Sequence, residues 1–265
     1  MTVYADLLRY RELFANLFRR DFQARYKGSL LGVLWSLVNP LMLLGVYLLV
    51  FGLIFTRSDI THYPVYLLAG LSCWIFFAVS LQAASRSMVD SAELIRKVRF
   101  PRQLVAFSQV ATQAVTFVVM LAILFAVSLV FVPAARDTVW LALPLAVLFV
   151  GFVAGLALVV ACLNVLFRDV EHILTAVLLP WFFLTPILWS NADLPARAHR
   201  HGTLLDVLRW GNPVAPSVSA IRDTIWLGRL PRLADVVYLA VASVVALVLG
   251  AWVFARADDR IAVEV

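Results

Sequence analysis

Residues Asp90–Arg102 read DSAELIRKVRFPR, a basic stretch set between two long apolar segments. Asp90 is placed to cap a helix, and Glu93, three residues later, completes a capping-box-like pair. Pro101 disfavours helical geometry at Phe100, so the helix is expected to stop near Arg99. That predicts about two turns carrying Arg96, Lys97 and Arg99, with Leu94, Ile95 and Val98 as apolar contacts. Two readings fit. One is a solvated loop whose charge only obeys the positive-inside rule. The other is a docking element for a cytoplasmic partner. The rest of the chain decides between them.

The flanking segments set the fold class. Of 265 residues, 63% are hydrophobic and 14% charged, with a mean hydropathy of +0.93. A soluble domain is about 45–50% apolar and about 25% charged, so this is an all-α integral membrane protein. The formal charge of +6 is explained by basic loops facing the cytoplasm rather than by nucleic acid. Cys73 and Cys162 lie inside apolar segments, which argues against a disulfide framework. The N-terminus opens with mixed charge and has no signal-peptide pattern.

About 20 apolar residues suffice to cross a bilayer, and six stretches qualify as expected spans: Leu30–Phe55, Tyr63–Ala84, Leu104–Val132, Val139–Phe167, Ile173–Ser190 and Asp235–Ala255. The first is interrupted by Asn39-Pro40, where a kink is expected. The fourth holds Gly151-Phe-Val-Ala-Gly155, whose small-xxx-small spacing would let another helix approach. The fifth is short, carries Pro180 and Pro186, and follows a charged break, Arg168-Asp169-Val-Glu171-His172. Residues 3–27 predict an amphipathic helix lying in the membrane interface, with Tyr4, Leu7, Leu8, Phe14, Leu17, Phe18 and Phe22 against basic residues from Arg9 to Lys27. Between spans five and six, Leu204–Trp210 and Val218–Leu227 are too short to cross and read as re-entrant or interfacial helices, the second closed by Gly228.

Six spans put both termini on one side. Lys and Arg cluster in the N-terminal segment and around Asp90–Arg102, whereas the first and third loops have one each, Arg57 and Arg136. This favours cytoplasmic termini. The long fifth loop carries six Arg on the opposite side, but long loops count less.

Several chemistries are missing. There is no phosphate-binding GxxxxGK[ST], no HExxH, no paired-cysteine metal spacing and no Gly-x-Ser-x-Gly elbow. No catalytic residue and no metal site is assigned; His199-x-His201 reads as a solvated loop pair. The spans contain almost no ionisable side chains, which argues against an ion-coupled carrier and against an intramembrane enzyme. They are rich in aromatics, suited either to an interfacial belt or to a conduit along which sugar rings slide on their C–H faces.

Four stretches together resemble a known family, the membrane subunits of type 2 ABC exporters, and within it the permeases for lipid-linked polysaccharide, O-antigen or teichoic acid. They are Arg20-Asp21-Phe-Gln-Ala-Arg25-Tyr26-Lys27-Gly28-Ser29-Leu-Leu-Gly32-Val-Leu-Trp35 running on to Asn39-Pro40; Glu93–Arg102; Arg168-Asp169-Val with Phe182-Phe183-Leu-Thr-Pro186-Ile; and Asn212-Pro213 with Ala220-Ile-Arg222 and Gly228. The resemblance implies a cytoplasmic interface helix over residues 1–29 and a transmembrane domain over 30–265. It implies a homodimer in the bacterial inner membrane, two copies of a separate ABC ATPase holding ATP and Mg, and a lipid-linked glycan as cargo, with no cofactor in this chain. Glu93, Leu94, Ile95, Arg96, Lys97, Val98, Arg99, Phe100, Pro101 and Arg102 would couple to the ATPase. Trp35, Asn39, Tyr47, Trp74, Phe76, Trp181 and Phe182 are the candidate path-lining residues. Arg168 and Asp169 match a recurrent pair that either meets the ATPase or closes a helix end. The rival cargoes are a drug, lipid or haem-type molecule; a membrane glycosyl transferase and a non-transporting scaffold are the rivals from other classes.

Overall fold

A chain in lipid must satisfy each backbone N–H and C=O internally, and the α-helix does so without a partner. The computed structural model describes residues 3–26, 35–47, 49–50, 62–98, 100–189 and 202–264. Lys27, Gly28, Ser29 and Gly32, the first outer loop with Arg57, Arg99 and the His199-x-His201 pair lie outside them, as do the side chains of Asn39 and Pro40. The described helices are α1 Ala5–Arg9, α2 Arg11–Tyr26, α3 Trp35–Tyr47, α4 Tyr63–Asp90, α5 Ala92–Lys97, α6 Gln103–Phe131, α7 Ala142–Leu166, α8 Asp169–Leu184, α9 Gly202–Trp210, α10 Val214–Ile225 and α11 Leu233–Glu264. Four are long and apolar enough to cross a membrane: Tyr63–Asp90, Gln103–Phe131, Val139–Leu166 (with its leading 3-10 turn) and Leu233–Asp258. In the first and fifth expected spans, α3 has 13 described residues and α8 has 16.

The differences from expectation have local causes. Backbone helix α3 runs unbroken through Asn39 and Pro40. Asp90 does not cap α5, because α4 continues through it and Ser91 takes the N-cap position without a side-chain bond. Glu93 instead pairs with Lys97 one turn on, at 3.3 Å. α5 ends at Lys97, two residues early, because β-branched Val98 is extended (φ −130°, ψ 132°). The N-terminal helix is broken at Tyr10 into α1 and α2. The break between α7 and α8 is shorter than expected, only Phe167 and Arg168: Asp169–His172 already belong to α8, with Asp169 and Glu171 in its first turn, where carboxylates suit the positive helix end.

α4 is the central helix, with most of its side chains buried against α6, α7, α8 and α10. Phe76 stacks on Phe117 at 4.7 Å, and Phe77 stacks on Phe152 at 6.2 Å. Lipid offers little hydrophobic drive for helix association, so close packing must supply it. The seam between α7 and α11 shows how. A Cβ on Gly155 would lie 2.3 Å from the Ala246 carbonyl carbon, so only glycine lets the two backbones approach. Cys73 and Cys162 are both buried and free.

Candidate coupling and transport surfaces

The basic stretch around α5 divides residue by residue. Leu94 and Phe100 pack against buried Leu17, Leu104 and Val105. Ile95 packs against a second cluster containing Val3, Met88 and Phe254. Arg102 donates from Nη1 to both the carbonyl and Oδ1 of Asp258, each at 2.7 Å, and so ties the start of α6 to the end of α11. Glu93, Arg96, Lys97 and Val98 are exposed, and Val98 is an apolar residue with half its surface bare (50%). One side of this short element is therefore bolted to the transmembrane helices and the other presents charge plus one apolar side chain.

α2 is anchored to α6 by polar contacts that recur about once per turn. Asp21 accepts from Ser108 Oγ at 2.6 Å and from Gln109 Nε2 at 2.9 Å, and Arg25 donates to Gln113 Oε1. Gln103 Nε2 donates to Asp6 Oδ2 at 2.8 Å, and Arg20 reaches Ser91 Oγ at 3.4 Å. Tyr4 donates its hydroxyl to the Leu247 carbonyl of α11. Burial pushes the Tyr4 phenol up to about 12, so it stays a donor throughout the physiological range. On the other side of α4, Asn164 bridges α4 and α8, donating to the Ser85 carbonyl at 2.9 Å and accepting from Glu171 N at 3.0 Å. Glu171 also pairs with Arg86 at 2.5 Å. Arg168 and Asp169 are exposed at the N-terminus of α8.

Four of the aromatic candidates meet between α3, α4 and α8. Tyr47 stacks on Phe182 at 6.1 Å, and Trp74 lies 5.6 Å from Phe182 and 6.5 Å from Trp181. Phe76 does not join them. It lies two residues from Trp74, hence on the opposite side of the helix, and faces Phe117 and Phe149. Trp35 is 54% exposed and borders a small cavity with Arg25, Ser72, Phe76 and Gln113. Trp74 and Phe182 are buried, whereas neighbouring Phe183 is exposed.

The far end of the bundle is built around α10. Twelve residues rise only about 18 Å, too short for a bilayer core of about 30 Å, yet α10 is buried along most of its length. Its last carbonyls would be orphans, but Ser128 Oγ donates to Ile225 O at 2.6 Å and Thr138 Oγ1 to Thr224 O at 2.9 Å. Gly228, at φ +63°, turns the chain away, and a Cβ there would also strike the Ala134 backbone. At the start of α10, Asn212 accepts from Trp181 Nε1 at 2.9 Å and from Val214 N at 3.1 Å, and donates to Thr185 Oγ1 at 2.8 Å. Buried Arg222 donates to the carbonyls of Tyr66 (3.0 Å), Ile187 (2.7 Å) and Pro186, and its guanidinium lies 3.6 Å from the centre of the Tyr66 ring. α10 thereby clamps the start of α4 to the segment that follows α8.

Residues 12–226 match the family model described as ABC-2 type transporter. The chain belongs to this family. Subunits of the ABC-2 family are transport components whose ATPase is a separate chain, and an ABC ATPase is therefore a partner of this one. With its apolar helices, the ABC-2 chain is a multi-pass protein of the inner membrane. It is 31% identical to the O-antigen export system permease protein RfbA of Myxococcus xanthus, over 97% of this chain and 96% of that one. It is 30% identical to an RfbA of Klebsiella pneumoniae, over 83% and 82%, and 24% identical to the polysialic acid transport protein KpsM of Escherichia coli, over 88% and 89%.

Within this ABC-2 chain, the sequence motifs pointed to Arg20–Asp21, Asn212–Pro213 and Arg222 but gave none of their contacts. Gln103, Ser108 and Gln113 were not singled out at all. The signal for them was available: polar residues in the first half of an otherwise apolar helix, on the side that faces α1 and α2.

Proposed function

We propose that this chain is the permease subunit of an ATP-driven exporter that carries a lipid-linked polysaccharide across the bacterial inner membrane. The observation that carries the reading is the similarity to an O-antigen export permease over almost the whole of both chains. KpsM, named for polysialic acid transport, extends the likeness to a second polymer class. The transporter is a homodimer with two ABC ATPase subunits, and both termini are cytoplasmic. α3 and α8 belong to the first and fifth of six spans, and α9 and α10 are the re-entrant pair on the outer side.

In this reading α1 and α2, within residues 1–29, form the cytoplasmic interface element, and residues 30–265 form the transmembrane domain. Glu93–Arg102, Arg99 included, couple the two chains. The exposed Glu93, Arg96, Lys97 and Val98 meet the ATPase, while Leu94, Ile95, Phe100 and Arg102 pass its movement to α2, α6 and α11. ATP can shift the permease only through differential affinity of the ATPase for two permease states, so the exposed contacts must differ between them. Trp35, Asn39, Tyr47 and Trp181 line the glycan path at the dimer axis, and the buried Trp74, Phe76 and Phe182 back them from within the subunit. Sugar rings pack their C–H faces on such a lining without fixed hydrogen bonds, which allows sliding.

Deleting the gene tests the cargo. The expected result is loss of surface polysaccharide with its lipid-linked form retained on the cytoplasmic side, restored by the intact gene. Normal surface polysaccharide with loss of export of a small lipid or drug would move the chain to the rival cargo class.

A further inference from the structure

A cavity of about 160 Å³ lies where the segment after α8, helices α9 and α10 and the start of α11 meet. That is roughly ten times the volume one water needs. Its walls combine three kinds of group. Trp189 and Trp226 supply aromatic surface. Asp223 and Asp235 supply carboxylates, and Arg209, Arg222, Arg229 and Arg232 supply four guanidiniums against those two. Most of the charge is already bonded. Arg209 Nη2 pairs with both oxygens of Asp235, at 2.8 and 2.9 Å, and Arg229 pairs with Asp223 Oδ1 at 2.8 Å. Arg222 is held by carbonyls.

Three groups of this wall are left over among the described residues: Asp223 Oδ2, Arg232 and the Nε of Arg209, which is buried without a hydrogen-bond partner. Asp223 is 5% exposed, and its Oδ2 is buried without a hydrogen-bond partner. A buried carboxylate oxygen left without a donor is costly, so Oδ2 is suited to accept from a ligand hydroxyl, while half-exposed Arg229 pairs with Oδ1. Arg232 is exposed and lines the same cavity. Its charge is part of the excess of two positive groups over the carboxylates.

We infer that this cavity binds one acidic sugar unit, carboxylated or phosphorylated. The ring lies on the indoles of Trp189 and Trp226, a hydroxyl donates to Asp223 Oδ2, and the acid group meets Arg232. This rests on the glycan-export reading and adds a site outside the aromatic path, at the end where the cargo would leave.

The test uses the full chain with its ATPase in lipid nanodiscs, with saturation-transfer NMR on glucuronic acid, glucose 1-phosphate, glucose and inorganic pyrophosphate. The two acidic sugars should bind saturably, and glucose should bind at least about tenfold more weakly, the worth of one charge-assisted contact. Arg232→Ala should remove that preference, and Trp189→Ala should weaken both acidic sugars. Equal binding of glucose and glucuronic acid, no saturable binding, or indifference to both variants would overturn the site. Pyrophosphate that displaces glucuronic acid and ignores Trp189→Ala would replace the sugar with a bare phosphate group. Export measured on the same variants keeps the two readings apart. Export without binding removes this site alone, and binding in a chain that exports no glycan removes the transport reading alone.

Discussion

Two short helices, α5 and α10, flank the transmembrane bundle at opposite ends and are built on opposite rules. α5 keeps its charges outside: Glu93, Arg96 and Lys97 are exposed, and the Glu93–Lys97 pair sits in water. α10 keeps its charge inside: Arg222 is buried and spent on three backbone carbonyls. An exposed pair is worth little, whereas a buried guanidinium left unbonded would be very costly. The contrast suits α5 to the partner contact proposed for it, and α10 to holding this chain together.

Substitutions can break that contrast, and their effects should be graded. Arg222→Ala should be the most damaging, costing about 3 kcal/mol or more by stranding three carbonyls; unfolding in mixed detergent micelles would read it. Asn212→Ala comes next, at about 2 kcal/mol, because Trp181 Nε1, Thr185 Oγ1 and Val214 N all lose a partner. Gly228→Ala should cost about 1–2 kcal/mol through its left-handed backbone and its contact with Ala134. Lys97→Ala, on α5, should change stability by less than about 0.5 kcal/mol. A large loss there would mean that α5 is structural like α10, and the comparison would collapse.

The spans were legible where physics is local. α6, and α7 with its leading 3-10 turn, fall within a residue of the apolar runs at Leu104–Val132 and Val139–Phe167, because Arg102, Pro133, Thr138 and Arg168 bound them. The start of α8 was misread because Asp169 and Glu171 look like a break when counted as charge, and like a helix start only when placed relative to the helix dipole. Asp90 failed as a cap for a related reason. Capping needs a non-helical backbone, and α4 reaches further than its apolar run. The two-residue spacing of Trp74 and Phe76 already puts them on different faces of α4, Phe76 on the side of the cavity that Trp35 borders.

Other features needed the third dimension. Nothing near Arg222 in sequence reveals that its carbonyl partner at Tyr66 lies 156 residues away. The Gly151–Gly155 spacing was visible. Its partners on α11, Ser243 and Ala246, became identifiable only once the two helices were seen in register.

In the proposed mechanism, energy enters through the exposed side of α5. The most direct measurement is glycan export and glycan-stimulated ATPase activity of the purified permease–ATPase complex carrying Glu93→Arg or Arg96→Glu, beside its yield and thermal stability. Both activities should be abolished while membrane insertion and stability stay at wild-type levels. Normal export by a correctly inserted Glu93→Arg or Arg96→Glu transporter would contradict it, and would return Asp90–Arg102 to a loop that merely obeys the positive-inside rule.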